Sequence, residues 1–388
     1  MGLATLVMGK EETSISSFLF PQMGANSVSN HFAARQGRLR TRLERGGLSL
    51  LVVTNPVNLY YLTGFRGSVG VAALGLEETF LWVDPRYTLQ AHEQARGVKV
   101  IEARKGLLKS VAAWLRSQGT CRVGYEDTHL TCAQFRELKN EESSSVRFQP
   151  AGGMVEELRL LKDQSEIALI REAGRITARV FEELLPQVRP GTRESDLEAE
   201  IEYRMRRQGA EGAAFESIVA SGPRSALPHA RASRKLLGKC ELVILDLGAI
   251  LGGYAADMTR TVYLGRPTAR VKRLYSAVLA AQREAWEAIH DGCRASSVDE
   301  AARRVLGRRG LAKYFTHSTG HGVGLEVHEK PRLGRGEKTS LRTGCVVTVE
   351  PGIYLEGFGG IRIEDTVVVG ETAAEILTAA SKDSWSIC

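Results

Sequence analysis

Four acidic residues lie in or beside strongly apolar stretches of this sequence. Asp246 is enclosed by Val-Ile-Leu and Leu, and Glu350 follows Val-Val-Thr-Val. Asp257 and Glu364 each follow one of these acids across a glycine-rich stretch. A buried carboxylate that lacks a partner is costly unless it takes up a proton. For one such acid a salt bridge to an arginine is the simplest explanation. Four acids in two similar pairs need a different explanation.

The arrangement of the two pairs predicts a metal site. Each pair spans a predicted β-hairpin, with an apolar strand, a glycine-rich turn and a returning strand. Hairpins bring residues of their two strands face to face. If the two hairpins pack together, the four carboxylates converge, and two divalent cations neutralise them better than side chains can. We therefore expect a site for two metal ions.

Three histidines, His317, His321 and His328, fall within one short segment. The glycines in this segment favour an extended strand over a helix, which lets the backbone approach the site closely. A single histidine is more often a hydrogen-bonded core residue, but three beside the second acidic hairpin favour metal binding or proton transfer. His229, in Leu-Pro-His-Ala, is a weaker candidate for the same site.

The first half of the chain alternates strands with helices. Strands are predicted at 48–54, 79–83, 99–102 and 122–125, with helical segments between them. This alternation is typical of an α/β layer domain, which we place at residues 35–153. The preceding residues 1–34 read as a polar, poorly structured extension.

The second half, residues 154–388, begins after the glycine-rich stretch that ends at Gly153. It opens with an amphipathic helix predicted at 163–185 and a second helix after Thr192. The two hairpins follow, with helices predicted at 268–291 and 297–310 between them. This repetition of a hairpin with its helices indicates a weak internal duplication.

Composition excludes several classes of protein. Of the 388 residues, 43% are hydrophobic and 25% charged, as in globular proteins with a buried core, and no apolar run approaches the ~20 residues of a membrane span. The net charge of +7 includes an arginine-rich stretch at 35–45 without aromatic neighbours, so we expect a solvated helix face and no nucleic-acid or membrane partner. The cysteines form no CxxC pair and the first residues do not read as a signal peptide, which favours a cytoplasmic protein with reduced thiols.

These motifs resemble the pita-bread metallopeptidases, and within them the proline-directed branch that contains aminopeptidase P and prolidase. The resemblance extends over nearly the whole chain. It rests on Leu245-Asp-Leu-Gly followed by Asp257, on His317-Ser-Thr-Gly-His-Gly-Val-Gly-Leu-Glu-Val-His-Glu329, on Val349-Glu-Pro-Gly-Ile-Tyr354 and on Arg362-Ile-Glu-Asp365. Tyr61-Leu-Thr-Gly-Phe resembles the amino-terminal domain of the same branch. The implied fold class is α+β, an amino-terminal creatinase-like α/β domain followed by a pita-bread catalytic domain with pseudo-two-fold duplicated hairpin-plus-helices units.

The resemblance implies a role for each candidate residue. The five metal ligands would be Asp246, Asp257, His321, Glu350 and Glu364, with Asp257 and Glu364 bridging two divalent ions. The catalytic residues that line the site and move protons would be His229, His317, His328 and Glu350. An oxygen-rich set of this kind favours Mn²⁺, with Co²⁺ or Zn²⁺ as alternatives.

The sequence leaves the roles of three arginines near the site undecided. Arg362, two residues before Glu364, either pairs with a ligand carboxylate or lies on the surface. Arg332 and Arg335, just past His328, are candidates to bind a substrate carboxylate.

The implied activity is that of an Xaa-Pro aminopeptidase, which hydrolyses the Xaa-Pro bond at the amino terminus of peptides with proline at the second position, through a hydroxide that bridges the metals. The alternative is an Xaa-Pro dipeptidase (prolidase) restricted to dipeptides, which the motifs do not separate from the first. A non-enzymatic binding protein on the same fold is a third reading, against which the complete ligand set argues. The resemblance also implies a homodimer.

Overall fold

The computed structural model describes residues 25–139, 146–383 and 385–387. The chain divides into two compact units, Met1–Leu158 and Arg159–Cys388. The domain limits given above, at residues 34/35 and 153/154, stay a prediction. Residues 1–24 of the expected extension lie outside the described residues.

The amino-terminal unit contains one six-stranded sheet with helices against it. Its strands are β1 (Leu50–Val53), β2 (Val71–Gly75), β3 (Thr79–Val83), β4 (Lys99–Glu102), β5 (Cys121–Tyr125) and β6 (Val146–Pro150). Its helices are α1 (Ala25–Gly46), α2 (Pro56–Thr63), α3 (Thr88–Gln94), α4 (Leu107–Ser117) and α5 (Cys132–Lys139), and α6 (Glu156–Arg159) ends at the boundary. The strand order is β4-β3-β2-β1-β5-β6.

The sheet is mixed, with β1 at its centre. β1 pairs in parallel with β5 and antiparallel with β2. All four residues of β1 are buried, which explains why this strand reads as a continuous apolar run rather than an alternating one. It leads to Asn55, whose side chain caps α2 by accepting the N–H of Val57. The four strands predicted from the sequence are present, whereas β2, β6 and α2 were not predicted.

Helix α1 corrects part of the expected extension. It begins at Ala25, so residues 25–34 are helical rather than poorly structured. Phe32, Leu39 and Leu43 are buried, and their spacing places them on one face of the helix. Phe32 thus packs into the core upstream of the arginine-rich stretch at 35–45, from which a helix is expected.

The carboxy-terminal unit contains two helix pairs and a larger number of short strands. Its helices are α7 (Gln164–Leu184), α8 (Glu194–Arg207), α9 (Ala269–Glu287) and α10 (Ala295–Arg308). Its first strands are β7 (Gly212–Ala213), β8 (Ile218–Ser221), β9 (Leu242–Leu247), β10 (Ala249–Leu251), β11 (Tyr254–Ala255) and β12 (Met258–Leu264). The later strands are β13 (Gly320–Gly322), β14 (Glu329–Leu333), β15 (Val346–Val349), β16 (Gly352–Leu355), β17 (Gly359–Arg362), β18 (Asp365–Val369), β19 (Ala374–Ile376) and β20 (Ser386–Ile387).

These elements form two similar halves, as the repeated pattern in the sequence predicts. In the first half, β9 pairs antiparallel with β12, and one hydrophobic core includes buried residues of α7, α8, β9 and β12. In the second half, β15 pairs antiparallel with β18, and the other core includes buried residues of α9, α10, β15 and β18. Each half thus supplies one apolar hairpin that is supported by one helix pair, which confirms the predicted α+β class with duplicated units.

Two observations bear on the expected class of protein. Within the described ranges, no helix is long and apolar enough to cross a membrane. Cys121, Cys132, Cys240, Cys293 and Cys345 are free thiols, whereas Cys388 lies outside the described residues.

Candidate metal centre

All eight site residues predicted from the sequence line one cavity of about 620 Å³ in the carboxy-terminal unit. Residues of both hairpins line it. Its lining comprises Phe215, Glu216, Ile218, Pro228, His229, Ala230, Arg231, Asp246, Asp257, His317, Ser318, His321, His328, Arg332, Glu350, Arg362 and Glu364. The sequence therefore identified the residues that converge here, although their roles stay a prediction.

The strands hold the four acids at the junction between the two halves. Asp246 lies in β9, opposite Thr259 of β12. Asp257 immediately precedes β12, Glu350 follows β15, and Glu364 lies between β17 and β18. The backbone N–H of Glu364 donates to the carbonyl of Thr259 at 3.1 Å, so the second hairpin is hydrogen-bonded to the first at this point. The pairing of the two hairpins is what makes the acids meet.

Three carboxylate oxygens in this cluster are buried without a hydrogen-bond partner among the described residues. They are Oδ1 of Asp246, Oδ1 of Asp257 and Oε1 of Glu364. Buried polar atoms are nearly always satisfied in folded proteins, so three orphaned oxygens in one cluster indicate a missing partner. A cation fits that role, because it accepts electron pairs from several oxygens at once.

His321 extends the same set of donors. Its Nδ1 lies 3.1 Å from the carbonyl oxygen of Gly322, and since a carbonyl only accepts, Nδ1 carries the proton. Nε2 lies 3.7 Å from Oδ2 of Asp257 and 3.5 Å from Oε1 of Glu350. Burial lowers the pKa of His321, so the ring is neutral and presents the lone pair of Nε2 to two carboxylates. Electron-rich atoms face each other in this way when a metal ion lies between them.

The electrostatics of the acids point in the same direction. Burial raises the pKa of Asp257 well above its usual range, and repulsion from Glu364 and Asp246 adds to the shift. Burial likewise raises the pKa of Glu364 well above its usual range, with repulsion from Glu350 and Asp246. Burial also raises the pKa of Glu350. In the absence of a cation the cluster would hold protons, and a divalent ion would displace them.

A metal-sized set of ligand atoms is already close together. One atom from each of Asp257, His321 and Glu364 lies within 4.8 Å of the other two. With Asp246 and Glu350 beside them, the donor set is four carboxylates and one imidazole, which suits a hard divalent ion. The residues present therefore fit the metal ions that the sequence predicts.

Arg362 is a buried partner of the acids and not a surface residue. Its side chain is 4% exposed, and Nη2 lies 2.6 Å from Oδ2 of Asp246. Its Nε donates to Oγ1 of Thr259, which in turn donates to Oε2 of Glu364 at 2.6 Å. Arg362 thus supplies one positive charge to the cluster and orients two of its carboxylates. One positive charge does not neutralise four acids, so the cluster can still bind cations.

His317 is held by a hydrogen-bond chain that the sequence did not reveal. Its Nδ1 lies 2.7 Å from the carbonyl of Ser318, and its Nε2 lies 2.9 Å from the hydroxyl of Tyr354. The same hydroxyl accepts from Nη1 of Arg362 at 2.9 Å. Burial raises the pKa of Tyr354 to about 12, so the phenol stays protonated and can donate to the imidazole. Tyr354 stands in the quoted motif Val-Glu-Pro-Gly-Ile-Tyr, but its type alone gave no reason to assign it a role.

The remaining two histidines lie on the walls of the cavity. The ring of His328 is 4.3 Å from that of His321, centroid to centroid, and burial lowers the pKa of His328. His229 follows Pro228, whose carbonyl accepts from Nη1 of Arg362 at 3.0 Å. Both are therefore placed to contact a ligand in the cavity.

Of the two arginines offered as carboxylate-binding residues, the structure brings one to the cavity. Arg332 lies opposite His321 in the pairing of β13 with β14 and is one of the lining residues. Arg335 is outside the set of lining residues.

Comparisons with known proteins agree with this fold. The profile of metallopeptidase family M24 matches residues 168–371, and that of the creatinase/prolidase N-terminal domain matches residues 35–161. An Xaa-Pro dipeptidase from Pyrococcus furiosus is 35% identical over 342 residues, 88% of this chain and 96% of that protein.

Two solved structures are similarly close. An Xaa-Pro dipeptidase from Bacillus anthracis has a TM-score of 0.89 at 37% identity, over 92% of this chain and 100% of that one. An X-Pro aminopeptidase from Thermotoga maritima has a TM-score of 0.83 at 36% identity, over 89% of this chain and 100% of that one. The expected pita-bread architecture with a creatinase-like amino-terminal domain is thereby confirmed.

Proposed function

The chain belongs to metallopeptidase family M24 and is a metal-dependent hydrolase, and we propose that it is an Xaa-Pro dipeptidase that uses two divalent metal ions. The observation that carries the proposal is the convergence of the three unpartnered carboxylate oxygens and Nε2 of His321 at one cavity. The ions would be held by Asp246, Asp257, His321, Glu350 and Glu364. The hard donor set favours Mn²⁺, with Co²⁺ or Zn²⁺ as alternatives.

Bound divalent ions in such a site polarise a carbonyl oxygen and lower the pKa of bound water. The protein supplies the proton transfers. Glu350 lines the cavity with its side chain 16% exposed, where its carboxylate would take up a proton from water and give it to the leaving group. The leaving nitrogen of an Xaa-Pro bond carries no hydrogen, so it must receive this proton before proline can depart.

The histidines would hold the substrate around the reacting carbonyl. Nδ1 of His317 donates to the carbonyl of Ser318 and Nε2 accepts from the hydroxyl of Tyr354, so the neutral ring would line the reacting carbonyl in a fixed orientation. His328 and His229 on the walls would hydrogen-bond to the oxygen atoms of the substrate and of the tetrahedral intermediate.

The choice of dipeptidase over aminopeptidase changes the first expectation from the sequence. It is supported by the relatives from Pyrococcus furiosus and Bacillus anthracis, both called Xaa-Pro dipeptidase. It is also supported by Arg332, which is one of the residues lining the cavity and whose type suits the free carboxylate of a carboxy-terminal proline. A dipeptide presents that carboxylate directly after the scissile bond, whereas a longer peptide presents an uncharged amide there.

The Xaa-Pro aminopeptidase remains the second candidate, because the similar structure from Thermotoga maritima is called an X-Pro aminopeptidase. Parallel assays of an Xaa-Pro dipeptide and the matching Xaa-Pro-Yaa tripeptide in Mn²⁺ buffer separate the two. We expect the dipeptide to have the higher kcat/KM, and the Arg332→Gln substitution to raise KM for the dipeptide more than for the tripeptide. A preference for the tripeptide supports the aminopeptidase. Hydrolysis of neither substrate contradicts both activities and favours a binding protein.

Two further expectations accompany the proposal. The homodimer implied by the resemblance can be measured by light scattering of the purified chain. A cytoplasmic location stays a prediction from the cysteines and the amino-terminal sequence.

A further inference from the structure

An ion pair on helix α10 faces the segment that carries His317. Asp299 is fully buried, and Arg303 lies one helical turn later in α10. Nε of Arg303 lies 2.6 Å from Oδ2 of Asp299, and Nη2 lies 3.1 Å from Oδ1. This two-pronged contact fixes the plane of the guanidinium.

The fixed guanidinium binds the backbone on both sides of residue 316. Nη2 of Arg303 donates to the carbonyl of His317 at 2.5 Å, and Nη1 donates to the carbonyl of Phe315 at 3.2 Å. The guanidinium also lies over the ring of Phe315, 4.3 Å from its centroid. That ring in turn meets the imidazole of His317 edge to face, with centroids 5.1 Å apart.

Asp299 binds the same segment from the other side of His317. Its Oδ1 accepts from the backbone N–H of Thr319 at 3.1 Å and from the Thr319 hydroxyl at 2.8 Å. The carbonyl of Thr319 then accepts from the N–H of Glu350 at 2.7 Å. The ion pair therefore anchors the backbone at Phe315, His317 and Thr319, three alternate residues.

We propose that Asp299 and Arg303 are positioning residues, which hold the imidazole of His317 in its place at the metal centre. Neither lines the cavity, so they act through His317 and not on a substrate directly. Three anchors in five residues remove the backbone freedom that would let the imidazole turn away from Tyr354. The inference deepens the proposed function and rests on it only in the claim that His317 serves hydrolysis.

The substitution Arg303→Lys tests the proposal, since an ammonium keeps the charge but cannot bond Asp299 and two carbonyls in one plane. The matched control is Arg304→Lys, because Arg304 is the next residue and pairs with Glu284 on the exposed face of the helix. For an Xaa-Pro dipeptide we expect Arg303→Lys to lower kcat by about tenfold to 100-fold, as displaced catalytic groups do. KM, the bound metal content and the activity of the control should be unchanged.

A double-substitution cycle separates positioning from general stabilisation. In a His317→Ala background the imidazole is absent, so Arg303→Lys should lower kcat by less than about twofold. Equal losses with and without His317 would overturn the proposal. If Arg303→Lys does not fold, as judged by circular dichroism, Asp299→Asn serves instead, because it keeps an acceptor for Thr319 while weakening the contact with Arg303.

A measurement that does not depend on activity completes the test. The imidazole ¹⁵N resonances of His317, assigned by their loss in His317→Gln, should shift in Arg303→Lys and stay in place in Arg304→Lys. Unchanged His317 resonances in Arg303→Lys contradict the positioning role. A shift in a protein that hydrolyses no Xaa-Pro substrate contradicts the proposed function but supports the positioning of His317.

Discussion

Arg362 of β17 donates a hydrogen bond from Nη2 to Oδ2 of Asp246 in β9 at 2.6 Å. The pair joins the second half of the carboxy-terminal unit to the first at the centre of the acidic cluster. Burial opposes the charge on Arg362, but Tyr354, Asp246 and Glu350 outweigh it and raise the pKa of the guanidinium above its usual range. Arg362 therefore stays charged at any pH at which the protein is folded.

The first prediction concerns this pair. Arg362→Lys keeps the charge but loses the planar set of donors to Asp246, Thr259 and Tyr354. We expect Mn²⁺ affinity or kcat to fall by about 10- to 100-fold, as for other groups that orient metal ligands. Metal titration by calorimetry and dipeptide hydrolysis measure the two effects. Arg342→Lys, at an exposed arginine of the same unit that pairs with Asp291, should change neither, and wild-type values in Arg362→Lys would contradict the role.

The second prediction concerns Asp257. Its raised pKa means that ionisation of this carboxyl destabilises the folded state when no metal is bound. This penalty is present above the unfolded pKa of about 3.9 and grows with pH up to the folded pKa. Asp257→Asn removes it, so at pH 7 in EDTA the variant should have a higher Tm than the wild type. With Mn²⁺ the order should reverse, because binding stabilises the folded state only where the ligands are intact.

Differential scanning fluorimetry with and without Mn²⁺ checks this crossing of Tm values, and dipeptide hydrolysis should be lost in Asp257→Asn. The matched control is Asp196→Asn, at an acid that is 59% exposed, for which no crossing is expected. A lower Tm of Asp257→Asn in EDTA would show that the carboxylates do not repel each other as the burial implies.

The sequence predicted the site where burial made polar residues conspicuous. Asp246 and Glu350 stand out because apolar neighbours place them in a core, and the repeated spacing of Asp257 and Glu364 shows that they belong together. Threonine, tyrosine and arginine occur in many settings, so Thr259 and Tyr354 carry no such signal. Their roles depend on tertiary contacts between two hairpins.

The helices and strands likewise divide into those that the sequence predicts and those that it does not. Long apolar or amphipathic segments such as β1 and α7 could be predicted, because their burial patterns are periodic or continuous. β2 and α2 were missed because segments of five and eight residues are too short to establish a period. The upstream part of α1 was missed because Phe32, although buried, is a single apolar residue and sets no period in the sequence.

The third prediction concerns pH and Glu194, which is fully buried at the start of α8. Burial would raise its pKa, but hydrogen bonds from Ser233 and Ser221 and the charge of Arg224 outweigh this and lower it. A carboxylate with a lowered pKa stabilises the fold above its unfolded pKa of about 4.3, and this contribution is lost as pH falls through the lower, folded pKa.

Glu194→Gln should therefore reduce the free energy of unfolding by about 1–3 kcal/mol at pH 7, where a charged acceptor is lost. The difference from the wild type should shrink as the pH is lowered below about 4.3. Urea titrations at a series of pH values measure it. Glu202→Gln, on the exposed side of the same helix at 55% exposure, should show no comparable loss, and a pH-independent difference for Glu194→Gln would contradict the ionised state.

The fourth prediction concerns the close approach of β13 to β15 at Gly320. A Cβ atom on Gly320 would lie 2.0 Å from the carbonyl oxygen of Thr348, so an alanine there must push the two strands apart. Since His321 is the next residue, Gly320→Ala should displace this predicted ligand, destabilise the protein by about 1–3 kcal/mol and weaken Mn²⁺ binding. Gly307→Ala is the matched control, because a Cβ there meets nothing within 4 Å and alanine in a helix stabilises it by about 0.4–1 kcal/mol. Urea unfolding and Mn²⁺ titration of the two variants measure the loss of stability and of Mn²⁺ affinity. Equal Mn²⁺ affinity in both would mean that β13 does not fix the position of His321.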